Sequence, residues 1–542
     1  MIFPALCDIA AQAPDRTAVI DQRGRHLTFG ELCESVERVA TSLRGLGLGP
    51  QSSVALFAPN RVEWLVTSLA TAAIGSLSIG LNTRFRTAEL DYLLHVGRCD
   101  AVLVPDRFLG VRPAELLLGI RDTPRVLVDG DPSAFDARFS PIAWTDLDQA
   151  AAPASTSPER PTVTGDERWC GFTTSGTTGH PKLAVHTQAG TLHHLRAVID
   201  AFDLDHDTVA YVPLPLCGVF GFTVAYATLL AGGTTGAARD VRPRRRAAAI
   251  ADHRVTFANG SDDMLAAIFE QPAFDGATTT WTNGVYADFT NSGRQVAELA
   301  DRLTDGRLRL SGVYGSSEGF ALMSRWPAAA PLEERAVNGG RLVSDQLEVR
   351  CVDPATGAVL PHGEPGEIQF RGPGMIDGYL EHPDAPETTA ATVAAFTDDR
   401  WFRTGDLGHT VDGRAFVYRS RLGDSLRLRG FLCDPTEIEH HLERHEAVEL
   451  AQVVGVDRPG GEVAVAFVRL APGGTATPDD LIAHCANGLA NYKTPDRVVI
   501  VDEFPVTDGP NGVKIRKVDL RSAAIAWYTE HDQLDPTLSS ST

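Results

Sequence analysis

Leu32, Val36, Val39 and Leu43 recur at the spacing of one helical face. Thr28-Phe29-Gly30-Glu31 stands before them, a hydroxyl with a carboxylate three positions on, which is a helix-opening pattern. Gly45 and Gly47 follow and close the helix. Residues 53–58 alternate like a strand, 63–73 read as a helix, 88–96 as a second helix and 101–104 as a strand. Strand and helix taking turns predicts a parallel or mixed α/β sheet. Residues 150–164 are rich in Ala, Pro, Ser and Thr and read as a linker between two α/β halves. Strand patterns resume at 169–172 and 183–186. Residues 213–221 enter an apolar helix, 259–269 read as a loop and a helix, and 308–314 as a strand.

From about Gln346 the pattern shifts to short strands and tight turns (346–352, 367–371, 401–404, 415–418), a β-rich subdomain. After 419–430 the texture changes again: helix 435–442, strands 451–456 and 462–470, helix 478–489. The last twenty residues are polar and read as loose. The expected fold class is α/β. Residues 1–420 form a large N-terminal domain of two α/β subdomains and a β-rich one, and 421–542 a small mobile α+β domain.

Residues 65–81 are uncharged and approach membrane-spanning length, but Gly75 and Gly80 punctuate them. A buried helix followed by a strand fits better than a span. The net charge of −21 speaks against nucleic-acid or acidic-membrane partners. The Arg242–Arg246 run is the main basic exception and reads as a solvated helix start. The eight cysteines are scattered, with no metal-ligand spacing, which suits small half-buried residues in a reducing, cytoplasmic setting. The first residues lack the basic start of a signal peptide.

Between the strands 169–172 and 183–186 lies Thr173-Thr174-Ser175-Gly176-Thr177-Thr178-Gly179-His180-Pro181-Lys182. Five hydroxyls, two glycines and a lysine cannot fill a core, but they can wrap an anion. A Ser/Thr/Gly surface loop is the plainer reading, and the Pro-Lys ending favours phosphate. The spacing is not that of the Walker loop. The stretch resembles instead the phosphate loop of the adenylate-forming superfamily: acyl-CoA ligases, luciferases and peptide-synthetase adenylation domains. Leu183 stands where that family usually has glycine.

Further motifs follow in the family's order. Tyr314-Gly315-Ser316-Ser317-Glu318 ends a strand, where open α/β sheets place ligands. It resembles the family's adenine and Mg2+ motif, with Glu318 as the metal's carboxylate. Trp401 to Gly408 reads as a strand ending in a Gly-Asp turn. The resemblance implies that Asp406, with Arg421, grips the ribose. The stretch 419–439 resembles the family's hinge, here at Gly423, and Gly430 lies where the family meets a pantetheine arm. Thr507, then Gly512-Val513-Lys514, resembles the family's C-terminal lysine motif with one residue inserted. The implied catalytic residues are Lys514, Thr174 and Glu318. ATP is implied as substrate, with Mg2+ and coenzyme A, and a homodimer is compatible with the resemblance. The implied chemistry has two steps: a carboxylate attacks ATP to give an acyl-adenylate and pyrophosphate, then a thiol displaces AMP.

The chain departs from its relatives at the acyl pocket. Cys217-Gly218 stands where acyl-CoA ligases often have an aromatic residue and His, and Tyr286 where small residues are usual. Asp262 and Asp263 either line the pocket or cap the helix that follows. An aromatic or other non-fatty acid is the expected substrate, in an actinobacterial secondary or aromatic pathway. The alternatives are a diazotase that activates nitrite with ATP for an aromatic amine in natural-product (antibiotic) biosynthesis, and a non-catalytic nucleotide-binding relative.

Overall fold

The computed structural model describes residues 1–21, 24–108, 110–149, 162–174, 181–237, 242–289, 292–423, 426–428, 431–433, 435–458, 461–489, 491–509 and 512–532. The chain divides into two compact units. The first comprises residues 1–349 and 370–403, the second 350–369 and 404–542.

The first unit is built on two sheets. One has seven strands in the order Ile142–Ala143, Arg125–Asp129, Cys99–Pro105, Ser53–Leu56, Leu77–Gly80, Arg168–Thr174, Lys182–Thr187. Its pairs are parallel except the last, an antiparallel hairpin. In the second, Arg309–Ser316, Asn283–Ala287, Phe257–Ser261, Val209–Val212, Thr234–Ala237 and Thr17–Ile20 run parallel as successive neighbours. The mixed α/β class read from the alternation is the observed one.

Local chemistry explains the helices. The Thr28 hydroxyl accepts from the Glu31 N–H at 3.2 Å, and the Glu31 carboxylate accepts from the Thr28 N–H at 2.8 Å. This reciprocal cap opens the helix Phe29–Gly45, whose Leu32, Val36, Val39 and Leu43 are all buried. Helix Val62–Ile74 is buried on every side, and Val219–Leu230 on all but its last residue. A helix apolar all round needs cover all round. Both lie in one core with side chains from strands of both sheets. Leu77, Ile79 and Leu81, which follow the first helix, are buried in a second core, so the uncharged stretch 65–81 is a buried helix followed by a strand. Among the described residues no helix is long and apolar enough to cross a membrane.

In the second unit, Val448–Arg458 and Gly461–Leu470 form an antiparallel hairpin. Its two faces follow the period of two. Ala451, Val453, Ala464, Ala466 and Val468 pack under helices Pro435–Glu443 and Pro478–Gly488. Val454, Val456, Val465 and Phe467 pack with Leu520, Ala524 and Tyr528. Those last three belong to a helix, Lys517–Asp532, which corrects the expectation of a loose final twenty residues up to Asp532. A second correction concerns the Gly-Asp turn. Gly405 does take a left-handed φ of 67°, but strand Phe402–Asp412 runs straight through it. The Leu422 N–H donating to the Gly405 carbonyl oxygen at 2.8 Å keeps the ladder closed there.

Candidate active site

The Ser/Thr/Gly-rich stretch 173–182 lies between the two strands of the antiparallel hairpin in the first sheet. Thr174 and Lys182 face each other at its base. Ser175, Gly176, Thr177, Thr178 and Gly179 lie outside the described residues. Lys182 Nζ sits 5.0 Å from the centre of the Tyr379 ring. The Tyr379 hydroxyl in turn donates to Glu318 Oε1 at 2.8 Å. One buried tyrosine therefore carries the loop's lysine on its face and the strand-end carboxylate on its rim.

Backbone contacts hold this arrangement. The Leu380 N–H donates to the Leu183 carbonyl oxygen and the Ile376 N–H to that of Glu318, each at 2.8 Å. Residue 379 also bridges to Ala184 in antiparallel fashion. The stretch 376–380 thus joins the strand that leaves the phosphate loop to the turn that carries Glu318.

That turn is shaped from beneath by two histidines. His186 Nε2 donates to the Ser317 carbonyl oxygen at 2.8 Å, and His194 Nε2 to that of Ala321 at 2.7 Å. Phe320 is stacked between their rings, with centroids 3.9 and 4.9 Å away. Burial pushes both imidazoles down to about 4, so they stay neutral at physiological pH. Phe320 itself has a φ of 65°, uncommon for a bulky residue, and the stack offsets that strain. At Gly315 an added Cβ would come within 2.5 Å of the Ala321 Cα, so only glycine lets the turn close. Tyr314 lies with its ring 5.5 Å from that of Phe370, and Ser316 Oγ accepts from the Glu318 N–H at 3.3 Å. Nothing in the local sequence pattern marked Tyr379, His186 or His194.

The pocket candidates occupy tight positions. Cys217 is buried, which pushes its thiol up to about 12. Its backbone crosses strand Leu77–Gly80 so closely that a Cβ on Gly80 would meet the Cys217 Cα at 2.8 Å. Gly218 is the N-cap of the apolar helix. Tyr286 is fully buried, its hydroxyl donating to the Ala336 carbonyl oxygen at 3.1 Å. Asp262 does not cap its own helix. Its carboxylate accepts from the Phe289 and Ser292 N–H groups, both at 3.1 Å, and from the Ser292 hydroxyl at 2.9 Å. It pins the loop after the neighbouring parallel strand. Asp288, first residue beyond that strand, is held well above the usual carboxylate range by burial and by Asp262 beside it.

In the second unit, Asp406 is buried and pairs with Arg421 across the hairpin, Oδ1 to Nη1 at 2.9 Å. The Arg421 guanidinium also donates to the Thr404 carbonyl oxygen at 3.0 Å. Gly423 follows, its carbonyl oxygen accepting from Arg521 Nη2 at 3.2 Å, while Arg521 Nε reaches the Gly455 carbonyl oxygen at 3.2 Å. Gly430 lies outside the described residues. Lys514 lies on strand Gly512–Ile515, opposite Thr507 of Val506–Gly509. Its side chain lies outside the described residues.

The sequence profile of AMP-binding enzymes matches residues 7–380, and that of the AMP-binding enzyme C-terminal domain matches 437–508. The chain is 31% identical over 507 residues to a feruloyl-CoA synthase of Amycolatopsis sp, covering 92% of this chain and 94% of that one. It is 28% identical to 4-coumarate--CoA ligase 5 of rice, Oryza sativa subsp. japonica, covering 95% and 93%. The amide bond synthetase McbA from Marinactinospora thermotolerans superposes with a TM-score of 0.81 at 25% identity, covering 97% of this chain and all of that one.

Proposed function

We propose a function for this chain from one premise: it belongs to the AMP-binding enzyme family of adenylate-forming ligases. It activates an aromatic or other non-fatty carboxylic acid as its acyl-adenylate, with release of pyrophosphate, and passes the acyl group to coenzyme A. The observation that carries this reading is the shared tyrosine, Lys182 against its face and Glu318 on its hydroxyl. A phosphate-binding cation and a metal-binding carboxylate held by one ring suit a polyphosphate substrate better than a structural loop. The aromatic acids named for the feruloyl and coumarate relatives support the substrate class.

In this reading the hairpin loop, with Thr174 and Lys182 at its base, holds the phosphates of ATP, and Tyr314 packs along the adenine. Asp406 and Arg421 hold the ribose hydroxyls. Lys514 neutralises charge growing on the α-phosphate, where such electrostatics supply much of the rate. Glu318 fits Mg2+: it is a buried oxygen donor, and hard cations in phosphate sites are held by one or two carboxylates plus the substrate's own oxygens. When bound, the ion would screen the phosphate charge. The protein supplies position and charge, and the acid's oxygen becomes part of a good leaving group.

A second reading, in which ATP activates nitrite and an aromatic amine is diazotised, rests on Cys217-Gly218 standing where acyl-CoA ligases often have an aromatic residue and His. A pyrophosphate-release screen separates the two. Carboxylic acids are offered with and without coenzyme A, and aryl amines with nitrite. Thioester formation from an aromatic acid supports the first reading. Turnover that needs nitrite and an amine and ignores coenzyme A overturns it. No AMP from any pair would leave a nucleotide-binding protein without catalysis.

A further inference from the structure

We infer that His95, His382 and Asp384 form a binding site for one borderline divalent metal ion of the Zn2+ class. Among the described residues they are the one group of three His, Cys, Asp or Glu side chains whose ligand atoms all lie within 4.8 Å of one another. His95 is in the last turn of helix Thr87–Val96, and the other two lie just past the Tyr379 stretch. His95 Nε2 stands 3.5 Å from Asp384 Oδ2, and His382 Nδ1 stands 4.0 Å from the same oxygen. The two rings lie 4.5 Å apart at 54°, splayed and not stacked flat.

The distances suit a bound ion. Zinc bonds of about 2.0–2.1 Å in tetrahedral geometry put ligand atoms about 3.3 Å from one another. The site therefore needs a contraction of roughly 0.2 to 0.7 Å between Asp384 and each imidazole, within reach of rotamer adjustment at exposed side chains. The donor state is suitable as well. The Asp384 N–H donates to His382 Nδ1 at 3.2 Å, so that nitrogen carries the ring's accepting lone pair. The ion would replace this long contact. His382 is buried and held by its backbone, its own N–H donating to the Thr388 hydroxyl at 3.3 Å. His95 and Asp384 are exposed and free to close on it, with side-chain exposures of 43% and 75%.

Two imidazoles and a carboxylate select zinc, cobalt, nickel or copper over magnesium and calcium, which take oxygen donors. Three protein ligands leave the fourth position to water. Burial, then His95 and Arg98, lower the affinity of His382 for a proton, and Asp384 opposes them. Among the described residues, the close pair His441 and His484 is already occupied. His441 Nε2 and His484 Nε2 each bond the other's backbone carbonyl oxygen, at 3.1 and 3.0 Å.

The test uses the full chain, stripped of metal, titrated with Zn2+ against a chromophoric chelator. One Zn2+ should bind per chain and survive millimolar Mg2+. His95→Gln and Asp384→Asn change only exposed side chains, so folding is kept. Each should weaken Zn2+ at least tenfold, the lower bound for losing even an outer-shell partner of a metal site. Co2+ should give a visible absorption band in the wild type that His95→Gln abolishes. Failure of the wild type to bind, or wild-type Zn2+ affinity retained in both variants, overturns the assignment.

Discussion

Replacing Tyr379 by Phe removes one oxygen and leaves the ring under Lys182 in place. The lost group is the hydroxyl that donates to Glu318 Oε1 at 2.8 Å, and both residues are buried. A hydrogen bond to a charged group is worth about 1.5–3 kcal/mol, more when the partner cannot turn to water. At about 1.4 kcal/mol per decade, that corresponds to a loss of roughly 10- to 150-fold in kcat/KM. Tyr379→Leu also removes the cation–π contact with Lys182, worth a further 0.5–2 kcal/mol or about 2- to 30-fold. The assay is pyrophosphate release with the best acid from the screen, at graded Mg2+. The Phe variant should need more Mg2+ for half-maximal rate, because its Glu318 is less well aimed. A thermal melt separates loss of aim from loss of fold. Wild-type kcat/KM in the Phe variant, at unchanged stability, would refute the view that this tyrosine organises the site.

Lys514→Ala should abolish acyl-adenylate formation but spare thioester formation from supplied acyl-adenylate, and equal loss of both half-reactions would contradict the role given to Lys514. Glu443 lies largely buried in the second unit, beside Glu439, and burial pushes its carboxyl up to about 7. The folded state therefore binds this proton more tightly than the unfolded one, and stability falls as pH rises from about 4.5 to 7, by up to about 3 kcal/mol. Glu443→Gln keeps an acceptor for the Ala451 N–H and should flatten that slope in melts across the range. Gly80→Ala should cost about 1–3 kcal/mol by overpacking, since the Cys217 backbone must move. It should raise KM for the acid more than for ATP, and an unaltered melt and KM would show that the segment yields freely.

The sequence was readable wherever short-range chemistry decides. The Thr28–Glu31 cap, the alternating faces around Val453 and Val465, and the strands flanking the Ser/Thr/Gly loop all declare themselves within a few residues. Two expectations gave way to longer-range forces. The final helix looked loose by composition, yet Leu520, Ala524 and Tyr528 recur every fourth residue and find an apolar sheet face to cover. Asp406 looked like a turn residue after Gly405, but a bond from Leu422 keeps the strand intact. Tyr379 was illegible for a different reason. It meets Glu318 across 61 residues and Lys182 from a separate strand, and no local spacing encodes such a meeting. Asp262 was ambiguous because a residue after a strand can serve its own helix or a neighbour's loop, and only the parallel pairing with Asn283–Ala287 decides it.

Arg521 grips the carbonyl of Gly423 from 98 residues further along the chain. Ribosomes add about 5–20 residues per second, so the position read as the hinge waits about 5 to 20 s for its clamp. For about the last half of that interval, once residue 470 has been made, the hairpin 448–470 can be paired while the backbone at 423 turns without this restraint. The backbone at 423 is thus among the last parts of the second unit to be fixed during synthesis. A stalled or prematurely ended chain would carry a formed hairpin beside a position 423 that lacks its Arg521 clamp.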